Sequence, residues 1–111
     1  MLHKKLRIRT GKEYNTIYKY GKKIGGRHIL VYIIPNKLGR NRFGVITSKK
    51  VGKAVRRNKV KRQLRSIIRT NLEKLGGQHD VVVIARYNIY GSEYRALEKD
   101  FLNLMKKAGL C

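Results

Sequence analysis

The sequence contains a single cysteine, a single proline and no tryptophan. Cys111 has no partner for an intramolecular disulfide, which fits a reducing compartment, so we expect a cytoplasmic protein. His3, His28 and His79 are spread along the chain and accompany no second cysteine, so the spacing of zinc ligands is absent. We therefore expect no metal site on the protein itself.

Long apolar segments are also absent. The longest apolar run, Ile29 to Ile34, is far shorter than the roughly 20 residues that a membrane-spanning helix requires. Residues 1–5 lead into no apolar stretch like that of a signal peptide. A very basic composition can serve membrane surfaces as well as nucleic acids, but these two absences argue against a membrane partner.

Acidic residues are scarce. The chain has 6 Asp and Glu against 28 Lys and Arg, a net charge of +22. No acidic residue occurs between Glu13 and Glu73, while 17 Lys or Arg lie in that interval. Such a concentration of like charge repels itself in a compact chain, and a polyanion would relieve the repulsion. The charge favours a nucleic acid as the partner.

The composition is nevertheless that of a folded domain. The length of 111 residues is typical of one domain, and 41% of the residues are apolar. We expect a single domain over residues 1–111. Its residues 1–9 are basic and lack a sustained apolar period, which predicts an arm that is flexible or is ordered by RNA.

Capping signals and apolar spacing predict three helices. Thr10 and Glu13 fit a capping box at the start of the first helix, and Gly21 is a suitable stop for it. A second helix is predicted from about Lys53 and a third after Ser92, because apolar residues recur there at helical spacing. The face opposite the apolar side of the second helix carries Asn58, Arg62, Arg65 and Arg69.

Runs of β-branched residues predict strands at His28–Ile34, Arg42–Ser48 and Val81–Ala85. A short loop separates the first two, so we expect them to pair as an antiparallel hairpin. The unalternating run Val81–Ala85 is typical of a strand buried on both faces. An extra edge strand at Lys22–Arg27 would give the order α-β-β-β-α-β-α.

No catalytic group of side chains is visible in the sequence. Glu98 and Asp100 are two residues apart on a predicted helix and point to different faces, so they do not form a general acid and base pair there. The remaining acids are isolated along the chain. Binding is therefore favoured over protein-borne catalysis.

The segment from Ser48 to Arg69 concentrates the features of an anion site. It combines a strand end, a glycine turn and a helix start, which brings free backbone amides and the positive end of the helix dipole beside cationic side chains. Arg57 and Arg62 can grip a phosphate with a planar fork, and Asn58 can hydrogen-bond a base or ribose. The alternative is a basic helix that serves only solubility.

Three tyrosines, Tyr14, Tyr18 and Tyr32, allow two interpretations. Aromatic residues at helical or strand spacing are usually core. A partly exposed tyrosine can instead stack on an unpaired base while its hydroxyl meets water or phosphate. If these rings open onto the basic stripe, they form a groove for a single strand.

The chain resembles the protein component of bacterial ribonuclease P. The resemblance extends over nearly the whole chain, and the residues that carry it are Phe43-Gly44, Ser48–Gly52, Ala54-Val55 and Arg57–Arg65, with Tyr14, Tyr18, Gly21, Tyr32 and residues 80–86. It implies an α+β fold, a single-domain α/β sandwich with a four-stranded mixed sheet and a left-handed β-α-β crossover, as in a domain of a small-subunit ribosomal protein. The usual handedness rule would not have suggested this crossover.

The resemblance also implies a division of labour. In the family, a large RNA subunit performs the Mg²⁺-dependent cleavage that removes the 5′ leader from precursor tRNA. The protein subunit binds that leader and supports metal binding, without a further protein partner. We therefore expect an RNA-binding subunit of an endonuclease that has no catalytic residues of its own, with Mg²⁺ held mainly by the RNA and the substrate.

The resemblance assigns residues to two RNA surfaces. Those expected to face the catalytic RNA are Lys49, Lys50, Lys53, Arg56, Arg57, Asn58, Lys59, Arg62 and Arg69. Those expected to bind the leader, in a cleft between the first helix and the sheet, are Tyr14, Tyr18, Tyr32, Ser48, Asn58, Lys61 and Arg65. The chain departs from the family pattern at Lys59, which replaces the second arginine of an Arg-Asn-Arg motif and loses its bidentate geometry.

A structural RNA-binding protein of ribosomal type is the alternative function. Composition does not separate the two, because both classes are small and basic. The ordered motif favours the ribonuclease P subunit.

Overall fold

The structure, a computed structural model, describes residues 4–111. Its three helices are α1 (Gly11–Tyr20), α2 (Ala54–Thr70) and α3 (Tyr94–Lys107), and its four strands are β1 (Lys22–Gly25), β2 (Ile29–Pro35), β3 (Arg42–Ile46) and β4 (His79–Ala85). The α+β class and the element order agree with prediction, and β1 is the extra edge strand. Short 3₁₀ turns lie at Lys4–Leu6, Lys49–Val51 and Leu72–Lys74.

The strands form one mixed sheet in the order β1-β2-β4-β3. β4 pairs antiparallel with β2 and parallel with β3, so the predicted hairpin between β2 and β3 is wrong. Residues 36–41 connect β2 to β3 across β4, which lies between them. The two strands are about 10 Å apart, a distance that six residues easily bridge. The hydrophobic run of β4 takes the central place because it buries apolar side chains on both faces.

Each face of the sheet has its own apolar cluster. α2 and α3 cover one face, where Val31, Phe43, Val81 and Val83 pack with Leu64, Ile67 and Phe101. α1 covers part of the other face, where Ile17 packs on Val82. Because α1 is short, the second face is only partly covered.

Part of the segment before α1 packs against the sheet. Ile8 is buried beside Ile17 and Val82, and its backbone N–H donates to the Phe43 carbonyl at 3.0 Å. The Arg40 Nε donates to the Lys5 carbonyl at 2.8 Å. Residues 4–8 therefore lie along β3, and the remainder of the predicted arm at positions 1–3 lies outside the described residues. Two apolar residues among cations, Leu6 and Ile8, are too few to give a sustained periodic signal in the sequence.

The capping box predicted for α1 is present. The Glu13 N–H donates to the Thr10 hydroxyl at 3.2 Å, and the Thr10 N–H donates to the Glu13 carboxylate at 3.1 Å. The same carboxylate pairs with Arg42 of β3 at 2.7 Å. α1 is thus tied to the sheet at its first turn.

The two acids of α3 have separate structural contacts, in line with their predicted faces. Asp100 accepts backbone N–H groups from Arg27, His28 and Ile29 at 2.8 to 3.2 Å, and so closes the turn between β1 and β2. Glu98 accepts from the buried Asn71 amide at 2.9 Å. Both carboxylates hold the fold together.

Candidate nucleic-acid interface

The segment that joins β3 to α2 is a compact turn with an open helix start. The Lys50 N–H donates to the Ser48 hydroxyl at 3.3 Å, and Val51 is buried beneath the turn. Lys53 precedes the first residue of α2 and makes no side-chain cap. The first-turn amides of α2 therefore remain available to an anion, at the positive end of the helix dipole.

Gly52 allows this turn to form. Its φ of 137° lies in a region that side chains rarely adopt, and a Cβ there would lie 2.7 Å from Arg56 Cδ. The turn thus brings the backbone against the stem of Arg56, which a larger residue would prevent.

The outer side of α2 is basic, as the spacing predicted. Asn58, Arg62 and Arg69 are exposed, and Arg65 is half-buried. Arg62, Arg65 and Arg69 line a groove of about 330 Å³ together with Ser66, whose hydroxyl lies 3.0 Å from that of Tyr94. Three guanidinium groups around one groove create a site that attracts phosphate.

The other basic residues assigned to the catalytic RNA lie around the start of α2. Exposed cations there are Lys49, Lys50, Lys53, Arg56 and Lys59. Arg57 is half-buried, and its Nε has no hydrogen-bond partner among the described residues. A buried donor without a partner is costly, and a ligand acceptor would satisfy it.

The three tyrosines form a continuous row beside α1. The Tyr14 and Tyr18 ring centroids are 6.4 Å apart, and Tyr18 meets Tyr32 edge to face at 5.1 Å. Tyr18 is 38% exposed, while Tyr14 and Tyr32 are partly buried. The rings are therefore neither pure core nor free surface, and they leave aromatic edges and faces open to solvent.

Gly44 lets the hydroxyl end of Tyr14 approach the sheet closely. A Cβ at Gly44 would collide with the Tyr14 hydroxyl oxygen and lie 2.7 Å from Tyr14 Cε1. The cavity of about 140 Å³ at this contact is lined by Tyr14 and Gly44 together with Arg65 of α2 and Arg7. Arg65 thus reaches the tyrosine row from the helix.

The tyrosine hydroxyls are neutral at physiological pH, and burial makes them still harder to ionise. It raises the pKa of Tyr14 and of Tyr18, and the neighbouring rings of the row raise both further. The nearby Arg65 charge opposes this rise in the pKa of Tyr14. The row therefore offers neutral hydrogen-bond donors at physiological pH.

Ser48 and Lys61, the remaining residues assigned to the leader, do not contact the tyrosine rings within residues 4–111. Ser48 is exposed after the end of β3. Lys61 lies one turn before Arg65 on the same flank of α2, at a spacing that places two side chains side by side. Lys61 is therefore a neighbour of Arg65, which lines the cavity at Tyr14.

The sheet supplies part of the cleft that sequence reasoning missed. Leu30, Ile84 and Ile46 are neighbours in register across β2, β4 and β3, and all three are partly buried on the face that α1 covers. They extend the apolar floor beyond the tyrosines. Leu30 and Tyr32 lie two residues apart in β2 and therefore share a face, which is a signal that the sequence contains. Only the strand order brings Ile46 beside them.

Metal clusters and membrane-spanning helices are both absent from residues 4–111. No group of three or more His, Cys, Asp or Glu side chains in that part of the chain is placed to hold a metal ion. None of its helices is long and apolar enough to cross a membrane.

The fold and this surface define a class: a small basic α+β protein in which a partly open aromatic cleft and a cationic helix lie side by side. A sequence profile of the ribonuclease P family matches residues 2–109. The ribonuclease P protein component of Syntrophomonas wolfei is 48% identical over 110 residues, 99% of this chain and 92% of that protein. The ribonuclease P protein component of Clostridium botulinum strain Loch Maree is 43% identical over 108 residues, 96% of this chain and 97% of that protein.

Solved structures agree. A Staphylococcus aureus RNase P protein mutant with defective mRNA degradation activity superposes with a TM-score of 0.89 at 30% identity, over 97% of this chain and 92% of that one. The Thermotoga maritima RNase P protein in complex with 1-(4-fluorophenyl)-2-thiourea gives a TM-score of 0.84 at 32% identity, over 91% of this chain and 98% of that one. The chain belongs to the ribonuclease P protein family.

Proposed function

We propose that this chain is the subunit of ribonuclease P that binds both the catalytic RNA and the 5′ leader of precursor tRNA. One observation carries the proposal. Arg65 of α2 lines the groove of the basic helix face and also the cavity beside Tyr14. A single helix therefore joins a surface for phosphates to a cleft for unpaired bases.

The leader occupies the cleft between α1 and the sheet. Tyr14, Tyr18 and Tyr32 stack on its bases, because stacking requires only a flat ring and tolerates any sequence. Lys61 and Arg65 neutralise the leader phosphates along the rim of the cleft, and Ser48 and Asn58 donate or accept hydrogen bonds at its end.

The catalytic RNA occupies the start and the outer face of α2. The open helix amides bind a phosphate, Arg57 grips another, and Arg62 and Arg69 extend the contact along the helix. Lys49, Lys50, Lys53, Arg56 and Lys59 add to the positive field there.

The RNA performs the cleavage with Mg²⁺ that it holds mainly with the substrate, and the protein has no catalytic residue. Its charge supports metal binding indirectly, since holding the leader phosphates beside the catalytic RNA lowers the repulsion that Mg²⁺ must otherwise screen. The complex works in the cytoplasm.

Reconstitution tests this function. The full chain is mixed with a bacterial ribonuclease P RNA and a precursor tRNA at low Mg²⁺, and release of the 5′ leader is followed. We expect the protein to stimulate release strongly under these conditions and weakly at high Mg²⁺, where the metal alone screens the phosphates. Absence of stimulation at low Mg²⁺ would contradict the proposal.

A further inference from the structure

The loop between β4 and α3 presents two tyrosine rings outside the leader cleft. Tyr87 is 74% exposed and Tyr90 is 42% exposed. The loop is nevertheless anchored, because Ile89 between them is buried. Two successive turns hold it, with the Ile89 N–H donating to the Arg86 carbonyl and the Ser92 N–H to the Ile89 carbonyl, both at 3.1 Å. Exposed rings on a fixed loop are typical of a contact surface.

Tyr90 lies under two cations of α2. Arg56 Cζ is 4.5 Å and Lys59 Nζ is 5.9 Å from the centroid of its ring. The stem of Arg56 also packs closely on Gly52, since a Cβ added to this glycine would lie 2.7 Å from Arg56 Cδ. The ring, the guanidinium and the ammonium therefore form one preassembled group, favoured by cation–π attraction.

This group and the leader cleft lie on opposite flanks of α2. Arg56 touches Tyr90, whereas Arg65 lines the cavity at Tyr14. The two arginines are nine residues apart, about two and a half turns, so they point to opposite sides of the helix. A strand held in the leader cleft does not cover Tyr90.

We propose that Tyr87 and Tyr90 form a second aromatic platform, which stacks on an unpaired base of the catalytic RNA while Arg56 and Lys59 hold the adjoining phosphates. The inference rests on the proposed function, and it assigns the β4–α3 loop to the same RNA as the start of α2. An unpaired base is required because paired bases do not offer their faces to a side chain.

The charge of the platform selects this partner. Arg56 and Lys59 lie over the ring, and the acid nearest in sequence, Glu93, precedes the first residue of α3. Cations packed on an aromatic ring complement a polyanion that carries stackable bases. A purely apolar partner would have to desolvate both cations.

Paired double variants test the platform. Tyr87→Ala with Tyr90→Ala should weaken binding of a bacterial ribonuclease P RNA by about 5- to 150-fold, the range that corresponds to loss of one stacked base. The matched variant, Tyr87→Phe with Tyr90→Phe, keeps both rings and should stay within about two-fold of the parent. A loss within two-fold for the alanine pair, or an equal loss for the phenylalanine pair, would overturn the stacking role.

Salt dependence separates stacking from a lost phosphate contact. The slope of log affinity against log salt should be unchanged in the alanine pair, because a base stack releases no counter-ion. A slope shallower by about one would mean that the variant acts by displacing Arg56 or Lys59, and would contradict the stack. Circular dichroism of both pairs checks that the fold is retained.

Two further measurements fix the identity of the partner. A photoreactive phenylalanine analogue at position 87 should crosslink to an unpaired nucleotide of the catalytic RNA; a crosslink confined to the leader, or to a second copy of the protein, would overturn the assignment. Arg57→Ala is measured beside the platform variants. If Arg57→Ala binds the RNA weakly but the alanine pair binds it as the parent does, the platform is contradicted and the proposed function is not. If the parent chain itself fails to bind the RNA, the proposed function is contradicted.

Discussion

Arg42 and Asp80 form a bidentate pair at the start of the parallel strands β3 and β4. Arg42 Nε and Nη2 lie 2.9 and 2.7 Å from the two carboxylate oxygens, and the two residues are register partners in parallel strands. Their side chains are 12% and 11% exposed. The third guanidinium nitrogen pairs with Glu13 of α1. One arginine thus fixes the helix that bears the tyrosines to the sheet beneath it.

Arg42→Ala should lower the free energy of unfolding by about 3–5 kcal/mol, because it leaves the Asp80 carboxylate buried without its cation. Urea denaturation of the RNA-free protein measures the loss. Lys37→Ala, at an exposed position of the neighbouring loop, is the control and should change stability by less than about 0.5 kcal/mol. Similar values for the two variants would show that the pair adds little to stability.

Glu13 should make part of the stability dependent on acid pH. Burial favours the neutral acid, but hydrogen bonds from Arg42, Arg9 and Thr10 outweigh it and lower the pKa of Glu13 from 4.5 to about 2. A lowered pKa in the folded state stabilises the protein above pH 4.5, and this stabilisation is lost as the pH falls toward 2.

The control for this effect is Glu13→Gln, which should be less stable than the parent at neutral pH. The difference between the two should shrink steadily between pH 4.5 and 2 in denaturant titrations. A difference that is constant across this range would show that the Glu13 charge does not contribute.

Gly44→Ala should disrupt the leader cleft. The new Cβ would collide with the hydroxyl end of the Tyr14 ring, so the ring must move away from the sheet, at a cost of about 1–3 kcal/mol. Leader-bearing substrate should bind more weakly, while affinity for the catalytic RNA stays close to that of the parent. Gly11→Ala is the matched control, because nothing lies within 4 Å of a Cβ at that helical position. Parental leader binding by Gly44→Ala would argue that Tyr14 does not shape the cleft.

Tyr18→Ala should weaken binding of leader-bearing precursor more than of mature tRNA, by about 1–3 kcal/mol for a lost base stack. Tyr20→Ala removes an exposed ring from the same helix outside the tyrosine row, and should leave the ratio of the two affinities unchanged. Equal losses for both substrates in Tyr18→Ala would place that ring in the core alone.

Arg57→Ala should reduce affinity for the catalytic RNA and make the salt dependence of binding shallower by about one unit of slope. Lys107→Ala, an exposed cation at the end of α3, is the control for a general change in charge. An unchanged slope for Arg57→Ala would mean that Arg57 contacts no phosphate.

Local pattern predicted the helices well. The Thr10–Glu13 capping box, the buried face of α2 at Val60 and Leu64, and the buried run of β4 all appear as expected. Each depends on residues that are close in the chain, so spacing alone specifies them. Fold class and family followed from the same local information, because the motif after Ser48 is a continuous string.

Strand order was not predictable in this way. The loop between β2 and β3 suggested a hairpin, yet β4 lies between them. Loop length limits how far apart two strands can be, but it does not decide which strand fills the gap. Ile8 shows the same limit, since its burial depends on Ile17 and Val82 from distant parts of the chain.

The sequence by itself determined the charge, the three helices and the basic stripe on α2, because these are properties of composition and short-range period. The family resemblance assigned Tyr14, Tyr18 and Tyr32 to one cleft, but only the tertiary structure brought their rings into contact. It placed Tyr14, Tyr18 and Tyr32 in one row and set Tyr90 under Arg56 on the other flank of α2. The reason is physical: a period assigns each residue to a face of its own element, but which faces meet depends on strand order and on how the helices pack on the sheet.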